Sequence, residues 1–193
     1  LAPQRRQGRP TCGVEMRVVD EDGAEVPADG GTSGEMLIRG PWIAAGYFQK
    51  PGEDAAFTPD GWFRTGDVVT QDASGYFEIV DRAKDVIKSG GEWISSIALE
   101  NIAVAHPAVE EAVVIAARHA KWDERPLLLV VLKSGQAADR QALLDWYNGK
   151  VAKWWVPDDV VFVKSLPHTA TGKLLKSEVR NQFSDYIIQN SQA

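Results

Sequence analysis

The sequence predicts an α+β chain in two parts, a small β-barrel-like piece followed by an α/β domain, and three observations predict it. Up to about residue 80, short apolar runs alternate with glycine-rich turns, the spacing of a small barrel or sandwich. From about residue 96, apolar positions recur at helical spacing between continuous apolar runs. Between them lies Asp81-Arg82-Ala83-Lys84-Asp85-Val86-Ile87-Lys88-Ser89-Gly90-Gly91-Glu92-Trp93-Ile94-Ser95-Ser96, where five ionisable side chains fall within eight residues. The boundary is drawn there, with residues 1–81 as the β-rich part and 82–193 as the α/β domain.

Taken in order, residues 1–13 are polar, basic and glycine-rich, and read as a loop. Val14 to Val19 reads as a strand, turned by Glu21-Asp22-Gly23 into Ala24-Glu25-Val26. After the loop Asp29 to Gly34, Glu35 to Arg39 is a strand closed by Gly40-Pro41. Pro51 to Phe57 is expected as a short helix, because proline suits a first helical turn. Gly61 to Arg64, Val68 to Thr70 and Tyr76 to Val80 complete the strands, with Asp72-Ala73-Ser74-Gly75 as a hairpin turn. Ser95 or Ser96 then caps a helix to about Ala105, ended by His106-Pro107. Val109 to Ala117 and Leu127 to Leu132 are strands, the second apolar throughout and so central. Leu143, Tyr147, Val151 and Trp154 place a helix over Asp139 to Trp154. Val160 to Val163 is a third strand, and Lys176 to Ile188 a last helix with Val179, Phe183 and Ile187 on one face.

Composition narrows the function classes. With 44% hydrophobic and 25% charged residues the balance is globular. Residues 1–80 carry 7 Lys and Arg against 13 Asp and Glu, and residues 81–193 carry 14 against 14, so the net charge of −6 sits in the first part. That disfavours nucleic acid or an anionic membrane surface as a partner. One cysteine, Cys12, excludes an intrachain disulfide and fits a reducing compartment. His106, His119 and His168 lie far apart without partner cysteines, so no metal ligands are expected. No apolar run approaches the roughly 18 residues that cross a bilayer, and the expectation is a cytoplasmic protein. A start at Leu1 rather than methionine reads as a fragment or a processed product.

Several segments carry chemistry. Gly34-Glu35-Met36-Leu37-Ile38-Arg39-Gly40 with Ala45-Gly46-Tyr47-Phe48 reads as architecture, with glycines at turns and a packed tyrosine. Gly61-Trp62-Phe63-Arg64-Thr65-Gly66-Asp67 ends in a carboxylate, which accepts two hydrogen bonds at once and suits the paired hydroxyls of a ribose. Arg82 offers a planar fork of donors, for ribose or phosphate oxygens or for a salt bridge to Asp81 or Asp85. Val86-Ile87-Lys88, a Ser-Gly-Gly turn and Glu92-Trp93-Ile94 read as a tight hairpin, since consecutive glycines supply positive φ. Glycine there also lets something pass close to the backbone. Leu166-Pro167-His168-Thr169-Ala170-Thr171-Gly172-Lys173 is not a Walker phosphate loop, because Pro167 stands where its first glycine is required and Leu174 replaces Ser or Thr.

In this order and spacing, Thr-Gly-Asp, Asp-Arg-x-Lys-Asp-x-Ile-Lys-Ser-Gly-Gly-Glu-Trp-Ile-Ser and Pro-x-x-x-x-Gly-Lys closely resemble the acyl-adenylate-forming (AMP-binding) enzymes. These include acyl-CoA synthetases, luciferases and peptide-synthetase adenylation domains, and the wording is most similar to the fatty-acyl-CoA synthetases. The resemblance runs from about Gly13 to Phe183. It implies that Asp67 holds the ribose of ATP and then of the acyl-adenylate, that Arg82 faces the nucleotide, and that Lys84 occupies a hinge. It implies that Gly90 and Gly91 border the pantetheine tunnel of coenzyme A, and that Lys173 is the adenylation lysine. Lys88 faces phosphate or solvent, and Trp93 packs the hairpin or faces the nucleotide and acyl tunnel. Arg180, His119, Trp122 and Glu124 read as structural. ATP, Mg2+ and coenzyme A are the implied cofactors, with a fatty acid or other carboxylic acid as substrate. Neither the Ser/Thr/Gly-rich phosphate loop nor the aromatic-Gly-x-Thr-Glu segment of the family is present. The chain therefore reads as the last part of the large domain plus the mobile domain, inactive without the upstream part.

Overall fold

The computed structural model describes residues 6–47 and 56–188 and divides into two compact units, Leu1–Lys84 and Asp85–Ala193. The division falls three residues later than the sequence boundary. Asp81 and Arg82, which follow the expected strand Tyr76 to Val80 and open the charged boundary stretch, are the last residues of a strand, and Ala83 N still donates to Gly66 O at 2.9 Å.

The first unit is a four-stranded sheet of β1 (Glu15–Val19), β2 (Ser33–Arg39), β3 (Phe63–Gln71) and β4 (Phe77–Arg82), each antiparallel to the next. The expected strands at Gly61–Arg64 and Val68–Thr70 are one strand, β3, interrupted by a bulge. The Ala24–Val26 segment forms only a bridge from Glu25 to Val19. The helix expected over Pro51 to Phe57 lies for the most part outside the described residues, and Phe57 is bridged to Phe63. Strand alternation sends Val18, Met36 and Val69 to one core and Val19 and Leu37 to another with Trp62. The Trp62 ring carries the guanidiniums of Arg17 and Arg39 at 4.3 and 4.6 Å from its centroid.

The second unit contains β5 (Ile87–Ser89), β6 (Glu92–Ile94), α1 (Ser96–Val104), β7 (Val109–His119), β8 (Asp123–Leu132), α2 (Arg140–Asp145), β9 (Asp159–Phe162) and α3 (Lys176–Gln182). Its sheet runs β6-β5-β8-β7, with β9 parallel to β8. Strand β8 is central, and Leu127, Leu128, Leu129 and Val130 are fully buried, as a strand covered on both faces requires. Leu128 and Val130 join Leu99, Leu143 and Tyr147 on one face. Leu127 and Leu129 join Leu166, Val179 and Ile188 on the other.

Two expected helices are shorter than their periodicity. The segment Asp139 to Trp154 is helical only over α2, capped by the Asp139 carboxylate on Ala142 N. It continues through turns at Gly149, whose φ is +73°, to a 3₁₀ turn at Lys153–Trp155. Leu143 and Tyr147 still reach the core because the chain stays coiled beneath it. The last helix stops at Gln182, and the chain then turns so that Ile187 bridges Arg118 in parallel. Ile188, not Ile187, is the buried residue there: Ile187 is 62% exposed.

Candidate active-site elements

In the first unit the site is made by a bulge. Glu35 pairs with Val68 and Leu37 with Arg64, so Thr65, Gly66 and Asp67 stand opposite Met36 alone. Such bulges bend a strand and re-aim a side chain. Thr65 Oγ1 fixes the detour, donating to Met36 O at 2.9 Å and accepting from Asp67 N at 3.1 Å. Gly66 adopts φ +71°. Asp67 faces Arg82 across the β3–β4 ladder, and Arg82 Nη1 lies 2.8 Å from Asp67 Oδ1 and donates to Thr65 O at 3.3 Å. Arg82 thus pairs with Asp67, and not with Asp81 or Asp85. Asp81 is buried and accepts from Arg82 N through Oδ1, while Asp85 pairs with Arg180. The Asp67 carboxylate, 19% exposed, keeps Oδ2 without a hydrogen bond from any described residue. That acceptor fits a sugar hydroxyl.

Lys84 is exposed in the turn Ala83–Asp85 that leaves β4. Lys88, Gly90, Gly91 and Trp93 share one hairpin in the second unit. Ser89 belongs to β5 and pairs with Glu92, so the turn is Gly90-Gly91 alone, with φ of +60° and +85°. These two positive angles define the tight turn that suits the strand twist. The two glycines face different surroundings. A Cβ on Gly90 would stand 2.9 Å from Trp122 Cε3, whereas one on Gly91 would meet nothing within 4 Å. The close approach at Gly90 is therefore made by Trp122, and the open backbone is at Gly91. Lys88 and Trp93 are opposite each other, with Lys88 Nζ 5.5 Å from the Trp93 ring centroid.

Three residues outside the motifs hold this hairpin. Glu124 accepts from Lys88 N at 2.8 Å, Trp122 O accepts from Gly90 N at 3.1 Å, and Arg125 Nη1 donates to Ser89 Oγ at 3.2 Å. Arg125, 8% exposed, also binds Asp158 and the carbonyls of Trp154 and Val156. The signal in the sequence is the set of charges Lys121, Asp123, Glu124 and Arg125 directly before the apolar run 127–132.

Lys173 comes from a different element, the loop between β9 and α3. Thr169 N donates to Lys173 O at 2.8 Å, Lys173 N donates to Thr169 Oγ1 at 3.1 Å, and His168 bridges Leu174. The loop is thus a closed turn with Lys173 leaving it. Its side chain is exposed and, among the described residues, makes no hydrogen bond or ion pair. His168 anchors the base of the turn, with Nε2 3.1 Å from Glu111 Oε1 and Nδ1 2.9 Å from Leu166 O. Among the described residues no group of three or more His, Cys, Asp or Glu is placed to hold a metal ion.

The AMP-binding enzyme C-terminal domain model matches residues 98–173, and the AMP-binding enzyme model matches residues 1–48. The chain belongs to the acyl-adenylate-forming, AMP-binding enzymes. Among curated members of this family it is 54% identical over 184 residues to the 3-methylmercaptopropionyl-CoA ligase of Ruegeria pomeroyi, covering 95% of this chain and 34% of that protein. It is 46% identical over 192 residues to the medium-chain-fatty-acid–CoA ligase of Ectopseudomonas oleovorans, covering 99% and 35%. The solved structure of ATP-bound MatB from Rhodopseudomonas palustris is 33% identical, with a TM-score of 0.79 over 94% of this chain and 36% of that one. The chain spans about a third of the length of the curated relatives it matches. Within the AMP-binding fold, its α+β architecture carries the family's C-terminal domain. No helix among the described residues is long and apolar enough to cross a membrane.

Proposed function

We propose that this chain is the part of an ATP-dependent, AMP-forming fatty-acid–CoA ligase that supplies the adenylation lysine and the thioester-forming hairpin. The observation that carries the reading is Lys173, a lysine that leaves a closed turn exposed and unpaired among the described residues. What sets it apart from other exposed lysines is its place at the end of Pro167-x-x-x-x-Gly172-Lys173, on a turn closed by Thr169.

In the complete enzyme a carboxylate attacks the α-phosphate of ATP, forming acyl-adenylate and releasing pyrophosphate. Lys173 would lie against the carboxylate and α-phosphate oxygens as charge redistributes, a positioned donor of the kind whose removal costs roughly 2.7–4 kcal/mol of barrier. Asp67, held by Arg82, would accept from the ribose hydroxyls. Rotation at Lys84 would then withdraw Lys173 and present Gly90 and Gly91, where the coenzyme A thiol attacks the acyl carbonyl and AMP leaves. One mobile domain serving two half-reactions requires such a pivot. Mg2+ would accompany the nucleotide phosphates on residues outside this chain. The chain alone would not complete the reaction.

A second reading concerns the acid. The 54% identity to a 3-methylmercaptopropionyl-CoA ligase, beside 46% to a medium-chain-fatty-acid–CoA ligase, makes a short thioether acid the alternative to an alkyl chain. With the upstream part restored, thioester formation is measured with a ladder of fatty acids, 3-methylmercaptopropionate and an aryl acid. A maximum at one alkyl length supports the fatty-acid reading. A maximum at the thioether acid replaces the substrate and leaves the chemistry. Activity that survives Lys173→Ala overturns the mechanism.

A further inference from the structure

Both ends of the turn at Lys84 are fastened. On one side Ala83 N donates to Gly66 O at 2.9 Å. On the other, the Asp85 carboxylate, 11% exposed, is paired with Arg180 of α3, and Val86 and Ile87 follow it into the buried core of the second unit. Lys84 is left as the residue with its backbone outside both anchors.

Helix α3 begins three residues after Lys173 and grips the stretch that follows the turn. Lys176 and Arg180 are four residues apart and so lie on one helix face. Lys176 Nζ sits 2.7 Å from Glu100 Oε1 and 2.8 Å from Ser96 Oγ, at the start of α1. Arg180 takes Asp85. Val179, 1% exposed, holds the neighbouring face of α3 in the core.

We propose that Arg180 is a positioning residue for the adenylation step: by pairing with Asp85 it ties the helix behind Lys173 to the first residue beyond the hinge, so that a turn at Lys84 carries Lys173 as a rigid body. This rests on the ligase reading above. The two faces of the domain depend on the pair unequally. The β5–β6 hairpin has its own bonds to Glu124, Trp122 and Arg125, none of which involves Arg180. When Arg180 is removed, α3 loses its tie to Asp85 and, among the described residues, keeps the ion pair of Lys176 with Glu100 of α1. A charge misplaced by a fraction of an ångström is costly in a transition state. Adenylation should therefore suffer and thioester formation should not.

The test uses the complete enzyme and two assays, acid-dependent ATP–pyrophosphate exchange and thioester formation from supplied acyl-adenylate. Arg180→Ala and Asp85→Ala should each lower kcat for exchange about tenfold with an unchanged KM for ATP. The double variant should be no slower than either single one, because both remove the same tie. Arg180→Lys should restore most of the rate. Thioester formation should stay within about twofold of the parent. Exchange at the parent rate in Arg180→Ala overturns the inference, as do equal losses in both assays or losses that multiply in the double variant. A parent enzyme that performs no exchange at all overturns the ligase reading first and this inference with it.

Discussion

Asp67 and Lys173 are opposite solutions to placing a charge. The Asp67 carboxylate is built into a sheet: a bulge aims it, Thr65 pins the bulge, and Arg82 from the next strand holds one oxygen. Lys173 is built onto a turn whose backbone is closed by Thr169 while its ammonium is left to solvent. A group that stays with the nucleotide through both half-reactions gains from being fixed. A group needed in only one of them gains from being held by its loop and not by a partner. On the proposed function, the difference between the two is the difference between a binding group and a delivered one.

Removing the delivered group should have the largest effect. Lys173→Ala should slow pyrophosphate exchange in the complete enzyme by about 10²–10³-fold while leaving the melting temperature of the chain unchanged, since no described contact is lost. Removing the fixed group should cost less in rate and more in structure. Asp67→Ala gives up hydrogen bonds to a charged acceptor worth about 1.5–3 kcal/mol and leaves Arg82 without its partner. A raised KM for ATP together with a lower melting temperature is expected, read by steady-state kinetics and thermal unfolding.

The hairpin sharpens the same contrast on a smaller scale. Gly90→Ala must place a methyl group against Trp122 at a φ of +60°, whereas Gly91→Ala meets open space at +85°. A non-glycine residue in this left-handed region costs about 1–2 kcal/mol, so Gly91→Ala should lose about that much stability and Gly90→Ala more, by denaturant titration. Equal losses would show that Trp122 yields freely.

The smallest effect belongs to a structural latch. Tyr186 donates to Asp159 Oδ2 at 2.6 Å, and Arg140 Nε to Oδ1 at 2.7 Å. Burial alone would raise the Asp159 carboxyl, but the bonds from Tyr186, Val160 N and Arg140 outweigh it and hold it below its ordinary range. Burial and then Asp159 push the Tyr186 hydroxyl up to about 12. A lowered carboxyl stabilises above its unfolded value, near 3.9, and loses that contribution as pH falls through the folded one. A raised phenol stabilises below its unfolded value of about 10 and loses its contribution between there and about 12. Melting followed against pH should show both limbs, and Tyr186→Phe should shrink the alkaline one, the remainder coming from the Tyr147 hydroxyl, which burial also raises.

Much of this was legible in the sequence. The Gly90-Gly91 turn, the Ser95 cap of α1 and the two-sided burial of β8 follow from glycine's φ range, a hydroxyl before a helix and an unbroken apolar run. Asp67, Arg82 and Lys173 were legible as residue types in an order that resembles a family. The pairing of Arg82 was not, because Asp81, Asp85 and Asp67 are equally plausible partners until strand register is known. Asp81 and Arg82 fall beyond the strand expected to end at Val80 because charge suggests solvent, yet pairing with β3 keeps them in the sheet. The long helix over Asp139 to Trp154 stops at Asp145, and turns carry the chain on past Gly149: apolar spacing survives a break when the chain remains coiled against the same core. The supports of the hairpin, Glu124 and Arg125, come from more than thirty residues away, beyond the reach of local pattern.

The strand order also has a kinetic consequence. In the first sheet every strand pairs with its successor in sequence, so each step closes one loop. The second sheet must bring Ser89 to Asp123, Leu127 to Asp159 in parallel, and Arg118 to Ile187 before its two cores are complete. Distant and parallel pairings form slowly because loop-closure entropy is spent before contacts return it. A newly made chain should thus hold its carboxylate cradle early and acquire the seat of its lysine last.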